Sequence, residues 1–203
     1  MRNKQTIYAI LVCVVLLATV GCHSGSESVK TADSASVGSA GTASEKPAAV
    51  PANSYEKDGI SFVLRPNWKV TEDQNMGGGV RNLIVEDDKH ATVSLTFIPA
   101  GTKPDLKKFG STFISTIRST LEGGTLTENG ETKITRNAAN VETKGIARKY
   151  TMTTGGESVP HTSELFLVNG RKYDCVAIYT APDDEKNAAD AEFETILYTI
   201  TAK

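Results

Sequence analysis

Between His23 and Ser54 the chain carries no Leu, Ile, Met or aromatic residue, and 18 of these 32 positions are Ser, Ala or Gly. Such a stretch cannot bury enough apolar surface to offset the entropy lost on ordering, so it is expected to stay disordered. As a flexible coil its ends would lie roughly 30 Å apart on average. Pro47 and Pro51 stiffen the end nearest the following segment. A folded core is thereby confined to residues 55–203, the length of one ordinary domain. The polar stretch is either a leash that lets this domain search space or a plain spacer.

What precedes the polar stretch is of a different kind. Arg2 and Lys4 supply positive charge, and Ile7 to Val20 form an apolar run of 14 residues interrupted only by Thr19. A spanning helix needs about 20 apolar residues, so this run is short for a permanent anchor and fits the core of a secretory signal. Leu16-Leu17-Ala18-Thr19-Val20-Gly21-Cys22 closes it. This ending resembles the lipobox of bacterial lipoproteins, although Thr19 stands where that box usually carries Leu or Val. The resemblance implies cleavage after residue 21 and acyl chains, palmitate among them, on Cys22. Two or more chains anchor stably where one does not. The alternatives are an ordinary signal peptide with an incidental cysteine, or an uncleaved helix. The absence of Asp after Cys22, where His23 stands, favours the outer over the inner membrane if the cell has both. The expected organisation is a signal at 1–21, a lipidated Cys22 and tether at 22–54, and a domain at 55–203.

The full chain has 22 basic and 24 acidic side chains, a formal net charge of −2. That balance gives no basic surface for nucleic acid. Of the cysteines Cys13, Cys22 and Cys175, only Cys175 would remain free in the mature domain, so no intramolecular disulfide can staple it. Cys175 lies in an apolar strand pattern, where packing is the expected role.

Within the domain, period-two runs predict strands at 60–64, 68–70, 82–86 and 91–98. Leu106, Phe109, Phe113, Ile117 and Leu121 switch the spacing to that of an amphipathic helix of about four turns. Pro104 suits its first turn and Gly123-Gly124 its end. Strands resume at 132–136, 145–153, 162–168 and 172–180. Asn169-Gly170 is the strongest hairpin signal, because both residues tolerate positive φ. A last helix begins near Asp183-Asp184-Glu185, with Ala189, Phe193, Ile196, Leu197 and Ile200 on its inner stripe. Helices covering a largely antiparallel sheet make the expected class α+β.

The leader, the tether, Asp58-Gly59-Ile60-Ser61-Phe62 running to Pro66, Lys103-Pro104-Asp105-Leu106 before the mid-chain helix, and Ala181-Pro182-Asp183-Asp184-Glu185-Lys186 before the last resemble the DcrB family of bacterial envelope lipoproteins. The pattern through Trp68 is also similar to the wider PsbP-like group. The resemblance covers nearly the whole chain. It implies a PsbP-like α/β/α sandwich and a non-enzymatic envelope role, and it transfers no site residue.

No catalytic constellation has a diagnostic spacing. His90, in Glu86-Asp87-Asp88-Lys89-His90, could share a metal with Asp87 and Asp88, but an acidic turn in water is the simpler reading. His161 is expected as a solvated histidine at a strand start. No Gly-x-Ser-x-Gly elbow surrounds Ser61, Ser94 or Ser163. Gly77-Gly78-Gly79 lacks the Lys-Ser/Thr of a phosphate loop and reads as a hairpin tip. Trp68 is expected in the core rather than in a stacking site. Arg148, Lys149 and Tyr150 could line an exposed sheet surface.

The expectation is therefore no catalytic, cofactor-binding or metal-ligating residue, and lipidation at Cys22. The chain reads as a non-catalytic, membrane-anchored envelope module that binds or scaffolds a protein. The alternative is a small-ligand or metal-binding lipoprotein, and an enzyme is a third, weaker reading. Replacing Cys22→Ser is expected to move the protein from the membrane fraction to the soluble fraction on cell fractionation. Unchanged membrane retention would remove the lipoprotein reading.

Overall fold

The computed structural model describes residues 53–87, 91–138 and 141–203. The leader, Cys22 and the polar stretch up to residue 52 lie outside the described residues. Ten strands and two helices follow in order: β1 (Ser54–Lys57), β2 (Ile60–Val63), β3 (Lys69–Gly77), β4 (Val80–Glu86), β5 (Thr92–Pro99), α1 (Leu106–Thr120), β6 (Thr125–Ala138), β7 (Val141–Thr154), β8 (Glu157–Val168), β9 (Tyr173–Pro182), α2 (Lys186–Thr199) and β10 (Thr201–Ala202). The first strand begins at Ser54, one residue inside the expected tether.

Seven strands form one antiparallel sheet in the order β3-β4-β5-β9-β8-β7-β6. Side chains alternate across a strand, so a central strand must serve two cores. On β9, Cys175, Ala177 and Tyr179 pack toward α2, and Val176 and Ile178 pack toward α1. On β8, Phe166 and Leu165 divide in the same way. One helix therefore lies on each face, and the fold is the expected α+β sandwich. The continuous apolar run of β9 is the sequence mark of this double burial.

The Asp105 carboxylate caps α1, accepting from the Lys107 N–H at 2.9 Å and the Lys108 N–H at 3.4 Å. Pro104 thus stands just ahead of the cap rather than in the first turn. The helix ends at Thr120, three residues before Gly123. Phe113, Ile114 and Ile117 enter the core, and Leu106, Phe109 and Leu121 border it. On the other face Phe193 stacks on Tyr179 with ring centroids 4.8 Å apart and meets Phe166 at 5.8 Å. Asp183, Asp184 and Glu185 precede α2, which starts at Lys186. Asp183 accepts instead from the Thr162 hydroxyl at 2.7 Å.

A second, three-stranded sheet in the order β1-β2-β10 closes the α2 side of the sandwich. Trp68 is buried in this core, as expected. Tyr55 stacks on Phe62 at 5.0 Å, and its hydroxyl receives a hydrogen bond from Arg81. The Arg81 guanidinium also grips the Asp73 carboxylate through two bonds of 2.7 Å, tying β1 to the edge of the large sheet.

Three expectations need correction. The strand expected at 132–136 runs from 125 to 138, because paired polar residues extend it at both ends. The strand expected from 162 starts at 157 and carries Pro160 within it, opposite Thr151. Asn169-Gly170 does mark the β8–β9 connection, but neither residue has a positive φ. Gly170 is needed there for space: a Cβ would strike the Tyr173 carbonyl and lie 3.0 Å from Ala202.

Phe193 is fully buried between the two other rings. Phe193→Ala is expected to cost about 3–5 kcal/mol of stability, read as a shifted urea midpoint. A loss below about 1 kcal/mol would contradict this packing.

Candidate functional site

The residues that could carry chemistry do not assemble into a catalytic group. His161 is 2 % exposed in the body of β8, between β7 and β9, not at a solvated strand start. Four strand residues before it and double-sided pairing account for the difference. Its Nδ1 donates to its own strand's Val159 carbonyl at 3.0 Å, and its ring stacks on Tyr150 at 5.6 Å. The Nε2 atom is buried with no hydrogen-bond partner among the described residues. Burial pushes the imidazole below its ordinary pKa of 6.5, against the opposing pull of Val159, Asp183 and Asp184.

The serines are spent elsewhere. Ser163 bonds Tyr150 at 3.1 Å and Thr180 at 2.8 Å, Ser94 donates to Asn82 at 3.3 Å, and Ser61 pairs with Thr201 at 2.6 Å. The Cys175 thiol is buried, which raises its pKa far above the usual thiol value. A neutral, enclosed thiol is neither nucleophile nor ligand. Asp87 accepts from the Ala91 N–H at 2.8 Å. Asp88 and His90 lie outside the described residues. Gly77-Gly78-Gly79 forms the β3–β4 hairpin tip. Among the described residues no three His, Cys, Asp or Glu side chains converge on a metal position.

Arg148, Lys149 and Tyr150 do not form an exposed row. Tyr150 is fully buried under α1, and the Arg148 side chain is 12 % exposed; only Lys149 is open to solvent. Arg148 instead fastens the sheet edge. It pairs with Glu128 at 3.3 Å and Glu131 at 2.8 Å on β6, and reaches the Lys107 carbonyl at 3.2 Å and Ser111 at 2.9 Å on α1. Gly110 makes room for this, since a Cβ there would lie 2.7 Å from the Arg148 Nε.

A second arginine holds β6 from the other face. Arg136 bonds Glu164 on β8 at 2.8 Å, and Asp190 and Glu194 on α2 at 3.0 Å each. Lys186 joins Glu164 from the other side at 2.7 Å. Burial opposes the Arg136 charge, but Glu164 and Asp190 outweigh it and raise the guanidinium pKa above its ordinary range. The partners are scattered across 58 positions of sequence, so no motif announces them. A usable signal was Glu164, a charge directly ahead of the apolar run Leu165-Phe166-Leu167-Val168.

These clamps fix β6, a strand of 14 residues at the end of the sheet order, with no strand on its outer edge among the described residues. A bulge between Glu128 and Gly130 breaks its register, and from Glu131 to Ala138 the pairing with β7 is regular. Thr132, Lys133, Thr135 and Asn137 are exposed along that stretch. Open edges present unpaired backbone donors and acceptors, which an extended chain can satisfy.

No family model matches this sequence, and no curated protein matches it. The chain is similar to cyanobacterial PsbP of Synechocystis, at 11 % identity over 74 % of this chain and 92 % of that one, with a TM-score of 0.47. A Bacteroides thetaiotaomicron structure has 13 % identity over 74 % of this chain and 48 % of its own length, with a TM-score of 0.44. LpqN of Mycobacterium tuberculosis, described as involved in cell envelope biogenesis, has 12 % identity over 75 % of this chain and 86 % of its own, with a TM-score of 0.37. These likenesses do not establish the DcrB resemblance drawn from the sequence. Among the described residues no helix is long and apolar enough to cross a membrane.

The buried His161 makes a pH dependence. Its folded-state pKa lies below the ordinary 6.5, so the unfolded chain binds the extra proton first. Stability is then full above about pH 6.5 and falls as the pH drops below it. Thermal melts of the native protein are expected to show a falling Tm between about pH 7 and about pH 5. His161→Phe should flatten that slope, and an equally steep slope in this variant would contradict the assignment.

Proposed function

We propose that this protein is a non-catalytic, membrane-tethered module of the cell envelope, and that it holds an extended segment of a protein partner along the open edge of β6. The observation that carries the reading is the regular edge from Glu131 to Ala138, clamped by Arg148 on one face and Arg136 on the other. An edge already ordered before binding loses little further entropy when a strand adds to it. The neighbouring bulge and the charges at Glu128 and Glu131 discourage indiscriminate pairing, so docking is confined to the regular stretch.

The sequence supports the location. The short apolar leader and Cys22 fit a lipid anchor, the polar tether gives reach, and the DcrB-like order of motifs points to the same setting. A tethered domain meets partners at a raised effective concentration, so a polar edge with modest intrinsic affinity suffices. His161 and Cys175 serve the core in this account.

Photo-crosslinking residues placed one at a time at Thr135, Asn137 and, on the opposite sheet edge, Gln74 test this in living cells. Discrete protein adducts are expected at Thr135 and Asn137 and not at Gln74, and they should be competed away by a peptide from the captured partner. Equal capture at Gln74, or no adduct at either β6 position, would overturn the docking reading.

A further inference from the structure

Away from the β6 edge, an open cleft of about 670 Å³ runs along the β8–β9 connection and β10. Its apolar lining comes from Val168, Cys175, Ile200 and Ala202. Arg171 and Lys203 are the charged side chains among its lining residues, and both are positive. Arg171 has no carboxylate partner among the described residues, whereas Arg81, Arg136 and Arg148 are each engaged by two or more acids.

The cleft is built by backbone rather than by side-chain chance. The N–H groups of Arg171 and Lys172 both reach the Ala202 carbonyl, at 3.1 and 3.4 Å. The Lys203 N–H donates to the Gly59 carbonyl at 2.9 Å. These bonds pin both rims, and Gly170 allows the connection to approach β10 more closely than any side chain would permit. The apolar lining includes Cys175, whose packing closes it toward the α2-side core.

We propose that this cleft binds a single-chain anionic amphiphile, with its acyl tail against Val168 and Ile200 over a floor of Cys175 and Ala202, and its anionic head at Arg171 and Lys203. An apolar lining takes the tail by the ordinary gain from removing hydrocarbon from water. A cation without an internal counter-ion selects the sign of the head. A neutral or cationic amphiphile gains the first term and not the second. The site is separate from the β6 edge and stands whether or not a protein docks there.

The test is titration calorimetry on the whole chain carrying Cys22→Ser, purified without detergent, with probes kept below their micelle concentrations. The probes are decanoate, lysophosphatidylglycerol and decyltrimethylammonium. Saturable one-site binding of at least one anionic probe is expected, with the cation at least about tenfold weaker. Decanoate alone would name a free fatty acid as the source, and lysophosphatidylglycerol alone a membrane lipid. Arg171→Glu and Lys203→Glu should each weaken the anion about tenfold without shifting Tm, since both side chains lie at the rim. Binding of neither anion, equal affinity for the cation, or unchanged affinity in Arg171→Glu would overturn the proposal.

Discussion

A guanidinium enclosed between a strand and a helix sets much of this architecture. Arg136, 11 % exposed, faces one carboxylate of β8 and two of α2, while Lys186 returns a second positive charge to Glu164. Taking such charges out of water is costly, and their attraction repays it only where the geometry leaves few polar atoms unmet. Here the guanidinium also lies over the rings of Phe193, at 5.3 Å, and Phe166, at 6.0 Å, so its faces are met as well as its edges. Removing one partner of a pair this enclosed typically costs about 3–5 kcal/mol. What the cluster supplies is registration: α2 can sit at one height over β8, and β6 at one height beside β7.

Arg148 acts as the counterpart on the α1 face, and Arg81 at the far edge of the sheet. The Tyr55 hydroxyl shows how enclosed that third bracket is, since burial and its hydrogen bond to Asp73 lift its pKa to about 12. Each arginine joins elements distant in sequence through carboxylates, and with no disulfide available among the described residues these brackets do the stapling. The apolar cores provide the driving force, and the brackets select one arrangement of it. A β6 edge that is fixed yet unpaired follows from the same construction.

Much of this was legible in the chain. The four-residue spacing from Phe109 to Leu121 gave α1, and the apolar run Cys175–Tyr179 gave a strand, whose burial on both faces only the structure shows. Strand ends were less legible, because Thr, Glu and Lys in β6 pair by backbone and leave no apolar rhythm to read. Pro160 hid the first half of β8, and His161 was misplaced as a consequence. Asn169-Gly170 was read as a tight turn when Gly170 is there for close approach to Ala202. The Arg136 bracket was not legible: its partners lie 28, 54 and 58 positions away, and pairing at such distances is a product of topology. The cleft at β10 was hidden for the same reason, being assembled from a connection and a terminal strand.

Among the described residues β6 is held on its inner side by β7 and left open on its outer side. Residue-resolved amide hydrogen exchange across 131–138 tests it directly. The account predicts alternation: amides bonded to β7 exchange only with global unfolding, while the intervening amides exchange rapidly. Fast exchange at every position would show a frayed strand, and slow exchange at every position would show an edge already covered; either result would contradict the account.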